Sequence, residues 1–405
     1  MRLAGPGSSW GTRQMRIAVL GGGPGGLYFA STWKHRHPQD EVELFEQNPA
    51  HATWGFGVVF SDRALEFLRE DDPGTVDLIS PHMQRWRDIT IMHEGERVTI
   101  DGVGFSAIGR LALLQLLQDQ ARKFGVTCRF EKPVLVIDEL AGFDLIVAAD
   151  GVNSLVRRTF EGDFGFSLSY LSNKFVWYGT TCPFDTLTQT FVATDAGTFN
   201  AHHYRYGPTM STFLVECDLA TWSRVGFDKM CDQQTRRYCE AVFARTLQGH
   251  SLLSNRSTWR NFPWIWNDRW SFRNMVLVGD ALRTAHYSIG SGTRLALEDA
   301  LALVKALEER PHDVRSALAQ YESKRRPVVE KLVAASRRSA LWYERFADHM
   351  RLAPFDLAMS YITRSQRIDE NRLRAMSPKF MAHYADFSAS PAQTAVRQAG
   401  QGHAR

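Results

Sequence analysis

Hydrophobic positions near the start of the chain come first as an unbroken run, then at helical spacing, then as a second run. Residues 16–46 read RIAVLGGGPGGLYFASTWKHRHPQDEVELFE. The β-branched run at 17–20 predicts a buried strand, the glycines after it a turn, and the pattern beyond them a helix of about three turns. A second strand is expected at 42–45, ending in Glu46, twenty residues beyond Gly26. Gly21 permits the tight turn, Gly23 lets backbone approach a pyrophosphate, and Gly26 lets helix and strand pack closely. Free N–H groups at the helix start would face the phosphate. Glu46 stands where a carboxylate accepts from ribose hydroxyls and repels a 2′-phosphate. Three spaced glycines are weak alone; with strand, helix, strand and terminal acid they predict a dinucleotide site.

Further along, 54–61 (WGFGVVFS) is either a buried strand or a loop lying against the cofactor. Alternation over 85–100 predicts a hairpin turning at Glu94 and Gly95. From Arg110, Leu113, Leu114, Leu117, Ala121 and Phe124 share one helical face, with Gly125 placed as the cap. Arg110 opens that helix against the macrodipole preference, so a pyrophosphate or a surface salt bridge is expected to hold its charge. A buried strand at 144–149 then runs into DGVNSLVRR. Here Asp150, Ser154 and Arg157 follow a strand end, where open α/β sheets place ligands; a capped helix start is the simpler reading.

Residues 166–270 switch to short alternating strands, at 176–180, 199–206 and 209–216, with Gly207 and Pro208 marking a turn. This predicts an antiparallel sheet inserted into the nucleotide-binding unit, with His202, Tyr204 and Tyr206 on one face. The stretch 259–270 holds four tryptophans and reads as a dense junction between domains. A strand at 275–278 ends in Gly279 and Asp280 and leads through His286, Gly290, Ser291, Gly292 and Thr293 into a helix at 294–309. Two glycine-lined approaches so far apart suit a long, two-ended ligand. Helix is expected over 313–346, interrupted at Pro327, and in two weaker pieces over 356–381.

Composition narrows the function classes. The 405 residues favour two packed domains, and 44% hydrophobic with 23% charged is ordinary globular usage. A net charge of +4 with scattered Lys and Arg argues against nucleic acid, and no run is long enough to span a bilayer. Five cysteines without a C-x-x-C pair fit free thiols in a reducing cytoplasm and no metal site. Residues 1–14 are expected to be a disordered extension or a misplaced start, and 386–405 a disordered tail.

Three separated pieces together resemble the single-component FAD-dependent aromatic hydroxylases, the p-hydroxybenzoate hydroxylase family: the glycine unit with Glu46, DGVNSLVRR, and VLVGDALRTAHYSIGSGTRLALEDA. WGFGVVFSDRALEFL, FVWYGT, STFLVEC, RNFP, HYSIGSGTRLALEDA and ITRSQR are similar to a subgroup of it. That subgroup includes salicylyl-CoA 5-hydroxylase, 2-aminobenzoyl-CoA monooxygenase and violacein-pathway hydroxylases of tryptophan-derived substrates. The resemblance implies an α/β fold: a Rossmann-type FAD-binding domain with an inserted antiparallel-sheet substrate domain and C-terminal helices. It places the FAD-binding domain at 15–165 with 270–345, the substrate sheet at 166–269 with 80–105 joining it, and C-terminal helices at 346–385.

It also implies the chemistry. Gly21, Gly23, Gly26 and Glu46 would bind the ADP portion of tightly but non-covalently held FAD, Arg110 its pyrophosphate and Asp280 its ribityl chain. Asp150 would stand where flavin and nicotinamide meet, and Gly290, Ser291, Gly292 and Thr293 would contact the isoalloxazine. NADPH or NADH, docking transiently, would reduce FAD, and O2 would form a C4a-hydroperoxyflavin that an electron-rich ring attacks. His286 is the first candidate proton relay, with His202 and Tyr204 behind it. The expected substrate is a small aromatic acyl thioester on CoA or a carrier protein, the alternative an untethered indole or other aromatic. A monomer or homodimer is expected. A flavin halogenase is disfavoured because Asp268 and Arg269 replace the Ile and Pro of its W-x-W-x-I-P segment. A non-catalytic FAD-binding protein would not need the loop after Asp280.

Overall fold

In a computed structural model describing residues 14–311 and 313–389, the first strand lies at the centre of a mostly parallel sheet. Strand β1 (Arg16–Leu20) pairs with β2 (Glu41–Phe45) on one side and with a strand from residues 145–148 on the other. Both partners are parallel to it, so it has no free edge. Ile17, Ala18, Val19 and Leu20 are all buried, the continuous apolar run a parallel strand needs. Helix α1 (Pro24–Arg36) crosses between β1 and β2.

The chain continues through β3 (Gly57–Ser61), α2 (Asp62–Asp71), α3 (Pro73–Ile79), β4 (Gln84–Trp86), β5 (Ile89–His93), β6 (Glu96–Ile100) and β7 (Phe105–Gly109). The β5–β6 hairpin turns at Glu94 (φ 52°) and Gly95 (φ 82°), the two left-handed residues of a tight hairpin turn. Next come α4 (Arg110–Phe124), capped by left-handed Gly125, then β8 (Thr127–Arg129) and β9 (Leu145–Ala148). Short helices α5 (Leu155–Thr159) and α6 (Glu161–Phe164) lead into β10 (Phe166–Thr180), β11 (Leu187–Thr194), β12 (Gly197–Arg205) and β13 (Ser211–Cys217). Helices α7 (Leu219–Val225), α8 (Asp232–Val242) and α9 (Ala244–Leu247) precede β14 (Leu252–Leu253), β15 (Arg260–Asn267), β16 (Ser271–Phe272) and β17 (Met275–Leu277). The remainder is helical: α10 (Gly292–Glu309), α11 (Val314–Tyr343), α12 (Phe346–His349), α13 (Pro354–Thr363), α14 (Glu370–Met376) and α15 (Pro378–Ala389).

These strands form a six-stranded sheet ordered β16-β17-β9-β1-β2-β8, a three-stranded sheet β3-β7-β4, and a large sheet β14-β10-β13-β12-β11-β5-β6, with β15 also on β10. Fold class is therefore α/β, with a Rossmann-like parallel sheet, a second sheet of mostly antiparallel strands, and C-terminal helices.

Four expectations are corrected. The second sheet is not wholly antiparallel: β5 joins β11 in parallel, because a segment from early in the chain fills that edge. Pro327 does not interrupt its helix, and α11 runs unbroken for 30 residues. Its flanks are held on both sides of the proline by buried Tyr321, Val329 and Leu332 and by Arg325 on Glu298 and Asp299. The segment after 354 forms three helices rather than two. The last of these extends to Ala389, so 386–389 are helical rather than tail: Phe387 stacks on Phe355 at 5.2 Å. Residues 1–13 and 390–405 lie outside the described residues.

Three hydrophobic clusters organise the packing. One fills both faces of the parallel sheet. A second joins β5, β6 and β7 to the C-terminal helices. The third lies on one face of the large sheet under α7 and α8. The tryptophan-rich stretch around β15 bridges two of them: Trp259, just before the strand, packs with Phe227 in the third cluster, while Trp264, Trp266 and Trp270 join the first. All five cysteines are free. Among the described residues no helix is long and apolar enough to cross a membrane.

Candidate active site

The turn after β1 needs glycine twice. Gly21 has φ +98°, and a Cβ there would lie 2.4 Å from the Ala149 carbonyl oxygen. A Cβ on Gly26 would lie 2.1 Å from the Gly21 carbonyl oxygen. Gly23 differs: a Cβ there would meet nothing within 4 Å, so its surface is open to a ligand. Gly23 is also the cap of α1, with no side-chain cap bond and Pro24 next, so the N–H groups of the first turn have no intrahelical partner. Glu46 is fixed beside this turn by Gly22 N–H (2.7 Å) and by the Asn48 backbone and side-chain N–H groups (both 2.8 Å). A carboxylate offers about four lone-pair sites, which leaves capacity for a ribose hydroxyl.

From Gly23 a narrow cavity of 130 Å³ runs between the N-termini of α1 and α10. Arg110, Asp280, Gly292 and Thr293 line both it and a larger cavity of 470 Å³ beneath the second sheet. The two glycine-lined approaches seen in sequence thus form one cleft. Arg110 sits at their junction with its Nε shielded from solvent and unpartnered. Burial pulls its guanidinium below the ordinary value, and Asp280 opposes that. Asp280 is pushed up by burial, with Arg283 and Arg110 pulling the other way. These are the residues a long dianion with a polyol linker would need. Gly23, the bare α1 terminus and the unpartnered Arg110 fit the ADP and pyrophosphate of FAD.

The loop bearing Asp280 is held from behind. Buried Asp299 accepts from Gly279 N–H (3.2 Å), from Arg283 (2.6 Å) and from Arg325 (3.0 Å). Buried Arg157 donates to the carbonyls of Val152 and Ala281, tying the DGVNSLVRR segment to the same loop. Asp150 lines neither cavity. Its Oδ2 accepts from Leu155 N–H at 2.7 Å, its Oδ1 is buried without a partner, and burial raises its carboxyl. Its neighbours Gly151, Val152 and Asn153 face the cleft instead.

The roof of the larger cavity follows from period two along the strands. Phe175 and Trp177, His202 and Tyr204, and Thr212 and Leu214 face the cavity. Their neighbours Val176, Tyr178, Ala201, Phe213 and Val215 face the opposite cluster. His202 lies opposite Leu214, and Tyr204 opposite Thr212. Burial lowers His202 to about 3, helped by Arg364, so it is neutral at physiological pH, and its Nε2 has no partner. Tyr204 spends its hydroxyl proton on the Gly57 carbonyl (2.9 Å). On the floor, Gly290, Ser291, Gly292 and Thr293 all reach the cavity.

His286, the first candidate relay, is not among the lining residues. Its ring turns back into the protein, with Nδ1 on Ser288 Oγ at 2.8 Å and Phe262 edge-on at 4.8 Å, and burial lowers it to about 3. Its neighbour Tyr287 lines the cavity in its place. The Tyr287 hydroxyl donates to Glu216 Oε2 at 2.6 Å, and Asn173 donates to Oε1 at 2.8 Å. Burial pushes Glu216 up to about 7. Sequence reading missed this pair, although a lone carboxylate in the otherwise uncharged strand STFLVEC was a signal.

The 470 Å³ chamber is joined by a second cavity, of 310 Å³, which meets it at Val59, His202 and Gly290. It passes Ile89, Leu187 and Ile362 and opens beside Arg63, Arg367 and Arg372.

The family described as FAD binding domain matches residues 139–336. Salicyloyl-CoA 5-hydroxylase of a Streptomyces species is 42% identical over 87% of this chain and 70% of its own. A 3-hydroxy-4-methyl-anthranilyl-(aryl-carrier protein) 5-monooxygenase of Streptosporangium sibiricum is 38% identical over 82% of this chain and 90% of its own. Protodeoxyviolaceinate monooxygenase of Chromobacterium violaceum is 34% identical over 87% and 95%. Among solved structures, the tetrameric form of 2-methyl-3-hydroxypyridine-5-carboxylic acid oxygenase superposes with a TM-score of 0.68 at 18% identity, covering 90% of this chain and 96% of that one.

Proposed function

The chain belongs to the FAD-dependent aromatic monooxygenases, and from that membership and the shape of its cavities we propose that it hydroxylates an electron-rich aromatic acyl thioester. The observation that carries the thioester reading is the second cavity, which leaves the first at Val59, His202 and Gly290. A free ring needs such a passage only to enter, whereas a tethered acyl group needs it to hold its arm throughout the reaction. Two of the similar proteins are named for a CoA thioester and a carrier-bound substrate.

In this reading Gly23 and Glu46 hold the ADP portion of FAD on the turn that Gly21 and Gly26 permit, Arg110 its pyrophosphate and Asp280 its ribityl chain, with the backbone of 290–293 against the ring system. Bound there, FAD would supply O2 activation, with NADPH or NADH as the transient reductant. The chain's own residues do the rest. Leu214, Phe262, Pro263 and Ile265 wall the chamber with apolar surface that excludes water. Neutral His202 orients a hydroxyl or amino group on the ring through Nε2. Glu216, tuned near neutrality, takes the proton that the ring substituent releases, passed through the Tyr287 hydroxyl.

The test is stopped-flow reduction of the yellow protein by NADPH and by NADH, with and without salicylyl-CoA and 2-aminobenzoyl-CoA. Acceleration by an aryl thioester of orders of magnitude, followed by hydroxylated product, is expected. Acceleration only by a free aromatic acid or an indole would leave the family standing and remove the thioester.

A further inference from the structure

Arg63 on α2 and Arg367 and Arg372 beyond α13 converge on the outer end of the second cavity. All three are exposed, and among the described residues none has a carboxylate within ion-pairing distance. The acids on the same wall are Asp62 and Glu66, and Asp62 also feels the charges of Arg85 and Arg87. Desolvation by the surrounding protein depresses the Arg367 guanidinium first, and the like charges of Arg294, Arg372 and Arg63 add to it. Such a cluster repels itself until an anion joins it.

We propose that this rim binds the phosphates of a coenzyme A thioester, whose pantetheine arm threads the second cavity and delivers the acyl ring to His202. The inference rests on the thioester reading above and adds the source of the thioester. Guanidinium groups suit phosphate because their planar fork matches its oxygens. The apolar walls at Val103, Leu187 and Ile362 suit a slender arm. Phe67 lies under both the Arg63 (5.4 Å) and the Arg294 (5.3 Å) guanidinium groups, so its ring holds these cations at the rim. A carrier-protein arm brings one phosphodiester and no base, which would leave most of this rim unmatched.

Calorimetric titration of the flavin-loaded protein tests this with salicylyl-CoA, salicylyl-pantetheine and 3′,5′-ADP. Wild type is expected to bind the CoA thioester at least about tenfold more tightly than the pantetheine thioester, with 3′,5′-ADP competing. Arg367→Glu with Arg372→Glu, and separately Arg63→Glu, should remove that advantage and leave pantetheine binding within about twofold, because all three side chains are exposed. Equal binding of both thioesters, unchanged by the substitutions, overturns the rim and keeps the thioester. So does a substitution effect confined to a salicylyl-carrier protein or to the NADPH concentration needed for reduction. Failure of every thioester while salicylate or an indole binds overturns both readings.

Discussion

The Tyr287 hydroxyl donates to Glu216 at 2.6 Å, which couples a residue on the cavity wall to a carboxyl buried in the second sheet. Burial raises that carboxyl from 4.5 to about 7, so the folded protein holds the Glu216 proton more tightly than the unfolded chain does. The stability this contributes is complete below pH 4.5 and is lost as pH rises through about 7. Each pKa unit is worth about 1.4 kcal/mol, so wild type should lose on the order of 3 kcal/mol relative to Glu216→Gln across that window. Urea unfolding of both proteins at stepped pH measures it. Parallel curves would show that the carboxyl does not titrate there.

The three glycines should separate folding from cofactor binding. Gly26→Ala drives a Cβ into the Gly21 carbonyl, and Gly21→Ala combines a clash with positive φ, so both should lose a few kcal/mol of stability or fail to fold. Gly23→Ala meets nothing and has φ −74°, so the protein should fold normally but elute without its yellow colour. Thermal unfolding alongside visible absorbance distinguishes the cases. A fully yellow Gly23→Ala protein would count against the pyrophosphate lying there.

Asp299 serves the loop from below, and its removal leaves Arg283 and Arg325 without their buried partner. Asp299→Ala should cost about 3–5 kcal/mol. Asp299→Asn, which keeps the shape and an acceptor, should cost less. Denaturant midpoints give both values. An Asp299→Ala cost under about 1 kcal/mol would mean water replaces the carboxylate.

Arg110 has a buried unpartnered Nε beside the narrow cavity, so its charge is the term FAD should feel most. Losing a charge-assisted bond costs about 1.5–3 kcal/mol, so Arg110→Ala should raise the FAD dissociation constant roughly 10- to 100-fold. Arg110→Lys should fall between, since one ammonium replaces a fork. Flavin fluorescence titration of the stripped proteins reads this directly, and an unchanged constant would place the pyrophosphate elsewhere.

The local pieces of this protein are legible in its residues. The strand-turn-helix around Gly21, Gly23 and Gly26, the hairpin at Glu94 and Gly95, the helix opened by Arg110 and the one-face placement of His202 and Tyr204 follow from steric allowance and from periods of 3.6 and 2. What faces what depends on the packing of distant segments. Asp150 and His286 sit in the right segments, yet short-range hydrogen bonds to Leu155 and Ser288 turn their side chains away from the cleft. Tyr287 meets Glu216 across 71 residues, β5 slots beside β11, and Arg63 meets Arg367 across 304 positions of chain. No local period carries such information. Side-chain direction and long-range adjacency are set by how the two sheets and the C-terminal helices bury their apolar faces together, which is a property of the packed whole.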